Sequence, residues 1–144
     1  MSKILVFSKS WKRFSWKIEG REIEQVKNFR YLGILFQYNL KWTLHRDNAI
    51  LLAKNKTQAI TRFYYQKGNQ YVPMAIRIFL ATVMSRLLYG IPVWIQSFNK
   101  EVERMTAAFL RRSLGVPNSV AYFSLCAELG LHSIEAHAWI STIK

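Results

Sequence analysis

At 144 residues, half of them hydrophobic and 15% aromatic, the chain is long enough to bury a real core as one domain, or one and a small appendage, and too apolar to be disordered. Twenty-one Lys and Arg against eight Asp and Glu give a formal charge of +13, which repels itself in a compact fold and calls for a polyanionic partner, nucleic acid or an anionic membrane surface. The single cysteine, Cys126, excludes an internal disulfide and a cysteine-rich zinc site, and reads as a small buried hydrophobe in an apolar helical stretch.

No signal-peptide pattern is present at the N-terminus, where Lys9, Lys12 and Arg13 soon follow the short apolar run Ile4–Phe7. That run is compatible with a central strand. Phe14, Trp16 and Ile18 then alternate with Arg13, Ser15 and Lys17, the cleanest period-two signal in the chain. Glu19-Gly20 is a hairpin turn, its glycine supplying positive φ, and Arg21 to Val26 return as the partner strand with a bulge or frayed end. Asn28 to Phe36 is apolar on nearly every position, the pattern of one strand covered on both faces. Gly33 in its middle marks either an ordinary bulge or a place where a helix or ligand approaches the backbone closely.

After Trp42 the period changes from strand to helix. Thr43 is a candidate cap, and Ala49, Leu52, Ala53, Ala59, Ile60 and Phe63 recur at threes and fours, while Lys54, Gln58 and Arg62 fall four apart on another face. Gly68-Asn69 is expected to end this helix. Pro73 opens the next, with Ile76, Phe79, Leu80, Val83 and Leu87 as its main stripe. Ile78, Met84 and Leu88 lie off that stripe, so this helix, apolar on most of its circumference, should be the central one. Arg77 and Arg86 interrupt the stretch Val72 to Ile95, leaving no uncharged piece of the roughly 18 residues a membrane span needs.

Gly90-Ile91-Pro92 breaks that helix. Asn99 is expected to cap another, with Val102, Met105, Thr106, Phe109 and Leu110 inward and Lys100, Arg104, Arg111 and Arg112 outward. Gly115 and Pro117 stop it, and Ser119 and Ser133 are candidate caps of two short helices separated at Gly130. The last helix runs to Lys144 without a stop signal, as expected of a piece of something longer. The outline is α+β: a small N-terminal antiparallel β-sheet over residues 1–40, followed by about five helices over residues 41–144.

Most catalytic constellations are excluded by the same residues. The one aspartate, Asp47, is expected in the first turn of a helix, where a carboxylate suits the dipole. Glu22 with Glu24, and Glu101 with Glu103, are the only close acidic pairs, and the first shares a strand face where it would offset Lys and Arg. His132 and His137, five apart, belong on different helical faces, and His45 stands alone. There is no phosphate-binding glycine loop and no nucleophile elbow. The expectation is a non-catalytic chain that holds no metal. Two basic helical stripes, Lys54–Arg62 and Lys100–Arg112, together with Trp16, Tyr31, Tyr64 and Tyr65, point instead to nucleic-acid binding through phosphate contacts and stacking.

The ordered set Lys3-Ile4-Leu5-Val6-Phe7, Trp16-Lys17-Ile18-Glu19-Gly20, Phe29-Arg30-Tyr31-Leu32-Gly33, Trp42 and His45 resembles non-LTR (LINE-type) retrotransposon reverse transcriptases. Leu88-Tyr89-Gly90 with Trp94, Phe109-Leu110-Arg111-Arg112, Leu114-Gly115-Val116-Pro117 and Glu128-Leu129-Gly130-Leu131 are similar to the same family's downstream helices. The resemblance implies the end of the palm plus the thumb. Phe29, Tyr31, Leu32 and Gly33 would be the primer grip, and Lys54, Gln58, Arg62, Lys100, Arg104, Arg111 and Arg112 would contact phosphates. It implies an RNA–DNA or DNA template–primer duplex as partner, alongside the fingers and palm of the parent polymerase. Mg²⁺ would sit only in that catalytic palm, whose Tyr-X-Asp-Asp type motif this sequence lacks, so the chain by itself would not polymerise. The alternative is a stand-alone, non-enzymatic nucleic-acid-binding protein derived from such an element. A membrane-surface protein ranks last, since the basic faces back onto core faces. The expected location is intracellular, in nucleus or cytoplasm.

Overall fold

Alternation of Trp16, Lys17 and Ile18 with their cross-strand partners builds the first hairpin. Strand β2 (Trp16–Ile18) pairs antiparallel with β3 (Arg21–Gln25), Trp16 opposite Ile23 and Lys17 opposite Glu22, across the turn Glu19-Gly20. Strand β1 (Lys3–Ile4) joins the other edge of β3 in parallel, giving the order β1-β3-β2. Lys3 and Glu24, partners in that register, form an ion pair at 3.3 Å. The Gln25 side chain accepts from the Phe14 N–H and donates to the Lys12 carbonyl, which fastens the approach to β2 alongside β3.

The expected single strand over Asn28–Phe36 is instead a second hairpin, β4 (Asn28–Tyr31) and β5 (Ile34–Gln37), with Phe29 opposite Phe36 and Tyr31 opposite Ile34. Leu32 and Gly33 form its turn with φ of 47° and 84°. Two consecutive positive φ values are what a two-residue hairpin turn of the right twist requires. Gly33 therefore serves the chain reversal and is not a mid-strand bulge. Nor is β4 covered on both faces: all four of its residues are exposed, while those of β5 are half-buried.

The computed structural model describes residues 2–65, 71–94 and 100–143, apart from the side chains of Tyr65 and Ser141. Its strands-then-helices order is α+β. The chain divides into two compact units, residues 1–47 and 48–144, with the boundary inside the first helix, α1 (Thr43–Tyr65). The start of α1 is capped from β5: the Gln37 Oε1 accepts from the Leu44 N–H at 3.2 Å and from the Thr43 hydroxyl. Thr43 is thus a capped residue and not the cap. Asp47 lies beyond the first turn and pairs with Arg46 at 2.7 Å.

The second unit is helical. Pro73 sits in the first turn of α2 (Val72–Phe79), which continues through a π-helical stretch (Leu80–Met84) into α3 (Ser85–Leu87). This continuous helix carries Ala75, Ile76, Phe79, Val83, Met84 and Leu87 into the core, the central position its sequence calls for. Short α4 (Ile91–Trp94) buries Ile91 and Trp94. Helix α5 (Lys100–Leu114) contributes Val102, Thr106, Phe109 and Leu110, with the Phe79 and Phe109 rings stacked at 4.3 Å. The Val116 N–H reaches back to the Arg111 carbonyl and closes α5 at Gly115.

Helix α6 (Tyr122–Glu128) begins at Ala121 with no side-chain cap, so Ser119 does not serve there. Ser133 does cap α7 (Ile134–Ile143), its hydroxyl accepting from the Ala136 N–H. Cys126 is buried on α6, as its apolar surroundings predict. The expected helix end at Gly68-Asn69 and cap at Asn99 lie outside the described residues. Among the described residues no helix is long and apolar enough to cross a membrane.

Candidate nucleic-acid interface

Helix α1 turns Ile50, Ala53 and Thr57 inward, a face rotated from the one its apolar residues mark out, since Leu52, Ala59 and Phe63 are exposed. Thr57 is buried because its hydroxyl donates to the Ala53 carbonyl at 2.8 Å, which satisfies the polar group within its own helix. Thr61 repeats the bond to Thr57. On α5, Thr106 does the same to Val102. These self-satisfied threonines let two helices with modest apolar stripes pack without leaving a buried hydroxyl unpaired.

The inward rotation of α1 brings Lys54, Gln58 and Arg62 to the edge of a groove whose other edge is α5. The groove has a volume of about 1090 Å³. Its floor is Thr57, Thr61, Met105, Ala108 and Phe109, and its rim carries Lys54, Gln58, Arg62, Lys100, Arg104 and Arg112. The rim cations Lys54, Arg62, Lys100, Arg104 and Arg112 face a single carboxylate, Glu101. Lys54 and Glu101 meet across the groove at 2.5 Å, joining the two helices. The stripes are separated by almost forty residues of sequence yet form one positively charged trough.

Arg111 is the expected phosphate contact that does not line this groove. Its Nε and Nη2 both donate to the Val120 carbonyl, at 2.9 and 2.7 Å, so the guanidinium holds the loop that follows α5. One residue along a helix is a rotation of about 100°, enough to take Arg111 off the groove edge occupied by Arg112.

The expected primer-grip residues all fall on the β4–β5 hairpin of the first unit. Phe29 and Tyr31 share a face with their partners Phe36 and Ile34, and Leu32 stands at the tip, 71% exposed. Along the edge of β5 away from β4 the Leu35 N–H donates to His45 Nδ1 at 3.1 Å, which ties the hairpin to the first turn of α1. Burial, then the nearby Arg30 charge, hold the His45 imidazole below its ordinary pKa. Trp16 is exposed on β2, with its ring edge-on to Phe14, and Tyr64 packs against the helical core. The side chain of Tyr65 lies outside the described residues.

The two C-terminal histidines are closer than helical spacing places them. His132 precedes α7 in a loop, and its ring meets that of His137 edge-on at 5.4 Å. Burial first, and the His132 charge second, keep His137 below its ordinary pKa. Among the described residues no three His, Cys, Asp or Glu side chains are grouped to hold a metal ion. What the groove offers is charge and shape: a floor of hydroxyl-bearing and apolar side chains, edged by cations.

Sequence reasoning missed the floor. Thr57 and Thr61 belong to neither the apolar nor the basic stripe read from the sequence, although their spacing of four from Ala53 and from each other is the available signal. It also missed Glu101, read only as half of an acidic pair with Glu103. Comparison with protein-family models, curated proteins and solved structures found no match for this chain.

Proposed function

We propose that this chain grips duplex nucleic acid along the groove between α1 and α5, as the thumb and primer-grip portion of a LINE-type reverse transcriptase. The observation that carries the proposal is the meeting of two sequence-distant basic stripes on one trough with a single carboxylate in it. Arg62, Arg104 and Arg112 offer planar guanidinium forks to phosphate oxygens, while Lys100 contributes a mobile point charge. Contacts of this kind read backbone shape and charge and carry little sequence information. The β4–β5 hairpin would present Phe29 and Tyr31 beside Arg30 to the sugars and bases of a primer end. The family resemblance supplies the polymerase context. In that context the location would be intracellular, and Mg²⁺ chemistry would belong to other residues of the parent enzyme.

The test is titration of a labelled RNA–DNA hybrid with the purified chain at rising salt. Five neutralised phosphates correspond to a log–log slope of about −4 to −5, and affinity indifferent to salt counts against the proposal. The same preparation supplied with Mg²⁺ and nucleotides should extend no primer.

A further inference from the structure

Glu101 stands out in the groove because its chemistry opposes everything around it. It lies in the first turn of α5, flanked on its own helix by Lys100 and, three residues on, Arg104. Its Oε1 takes the Lys54 ammonium from the facing helix. Both partners keep 44% and 43% of their side-chain surface open, so the pair is held at the mouth of the trough and not locked inside the core. A lysine ammonium has three donors, and a solvated carboxylate is a weak holder of any one of them.

We infer that Glu101 is an internal stand-in for phosphate: it occupies Lys54 while the groove is empty and surrenders it to a phosphodiester oxygen when a duplex docks. The inference rests on the duplex-binding function proposed above. The exchange replaces one Lys54 contact with another, so Lys54 adds little net affinity as long as Glu101 competes for it. Glu101, left in a groove now filled with phosphates, is a like charge that opposes the docked state. The pair thereby limits affinity at a place where four other cations remain. A clamp that must follow a moving duplex needs such a limit, because residence time is set mostly by the rate of release. Glu101 also rejects polyanions that cannot bring a phosphate to Lys54, since only that contact compensates the displaced pair.

The experiment is a double-mutant cycle on duplex binding with the full chain: wild type, Glu101→Gln, Lys54→Gln and the double variant, titrated with one labelled RNA–DNA hybrid at fixed low salt. The amide keeps the shape of the side chain and removes its charge. Removing the competitor frees about one phosphate contact, so Glu101→Gln should bind roughly three- to fivefold more tightly than wild type. In the Lys54→Gln background the same change should give well under half that gain, because there is no ammonium left to release. Circular dichroism and thermal melting of all four proteins control for the loss of a link between α1 and α5.

A gain of equal size in both backgrounds would show that Glu101 acts through the general field of the groove and would overturn the exchange. So would a Glu101→Gln variant that melts normally and binds no more tightly than wild type. A wild-type chain that binds no duplex at low salt removes the proposed function and this inference together. One that binds with the expected salt slope, yet shows no coupling between Glu101 and Lys54, removes this inference alone.

Discussion

The two units are held together by different forces. Every buried apolar side chain of the described residues lies in the helical unit, from Ile50 to Ala138, whereas among the described residues of the first unit the only buried side chain is His45. The first unit relies on ladder hydrogen bonds and on single polar side chains placed at junctions: Gln25 along β3, Gln37 under α1, His45 against β5. Edge-on aromatic pairs, Trp11 with Tyr38 and Phe36 with Trp42, supplement them. The lesson is that the groove sits on a scaffold with a core of its own, and the hairpin does not. A trough proposed to grip phosphates needs firm edges, and the stacked Phe79–Phe109 pair fastens the α5 edge to the central helix.

The largest expected effect sharpens this contrast. Phe109→Ala removes a ring that is both core and groove floor, and should cost about 3–5 kcal/mol in denaturant unfolding of the helical unit. Phe29→Ala on the hairpin loses one cross-strand pair and should cost roughly 0.2–1 kcal/mol. Equal losses at the two positions would break the distinction between the units. Next in size, Gln37→Ala strips the start of α1 of its acceptor, with about 1 kcal/mol lost and faster amide exchange at Leu44.

The smallest effect is a pH dependence read in the first unit. Because the folded His45 has a lowered pKa, the unfolded chain binds the proton more readily, so stability rises with pH. The contribution is complete above the ordinary value of 6.5 and fades as pH falls through the lower folded value. A protonated Nδ1 can no longer accept from the Leu35 N–H, so the protection of that amide, its exchange rate relative to the intrinsic rate at the same pH, should fall on acidification and should stay constant with pH in His45→Gln. His137 shifts the same way in the helical unit, so the Leu35 amide, not the global melt, is the readout.

Much of the helical unit was legible in the sequence because its periodicity is long and its stops are strong. Pro73, Gly115 and Ser133 each do what their chemistry predicts. The basic stripes were legible too, as residues four apart on α1 and on the outward side of α5. Their convergence was not, since it depends on the inward rotation of α1 that Thr57 permits by bonding its own backbone. The second hairpin was missed for a different reason. Its turn uses Leu32 at positive φ, a conformation for which Asn or Asp is the usual signal, so an apolar run concealed a chain reversal. Capping of α1 by Gln37 and withdrawal of Arg111 to Val120 depend on partners brought close only by the fold, and no local pattern announces them.

The groove itself is tested most directly by binding of three duplexes of unrelated sequence to wild type and to Arg62→Ala/Arg104→Ala, each across a range of salt. One cation leaves each edge in that variant, and the floor is untouched. Affinity should fall to the same extent for all three duplexes, and the salt slope should become shallower by about 2, the share of two phosphates. Unchanged affinity, or a loss confined to one of the three, would mean that duplex nucleic acid does not lie in this trough.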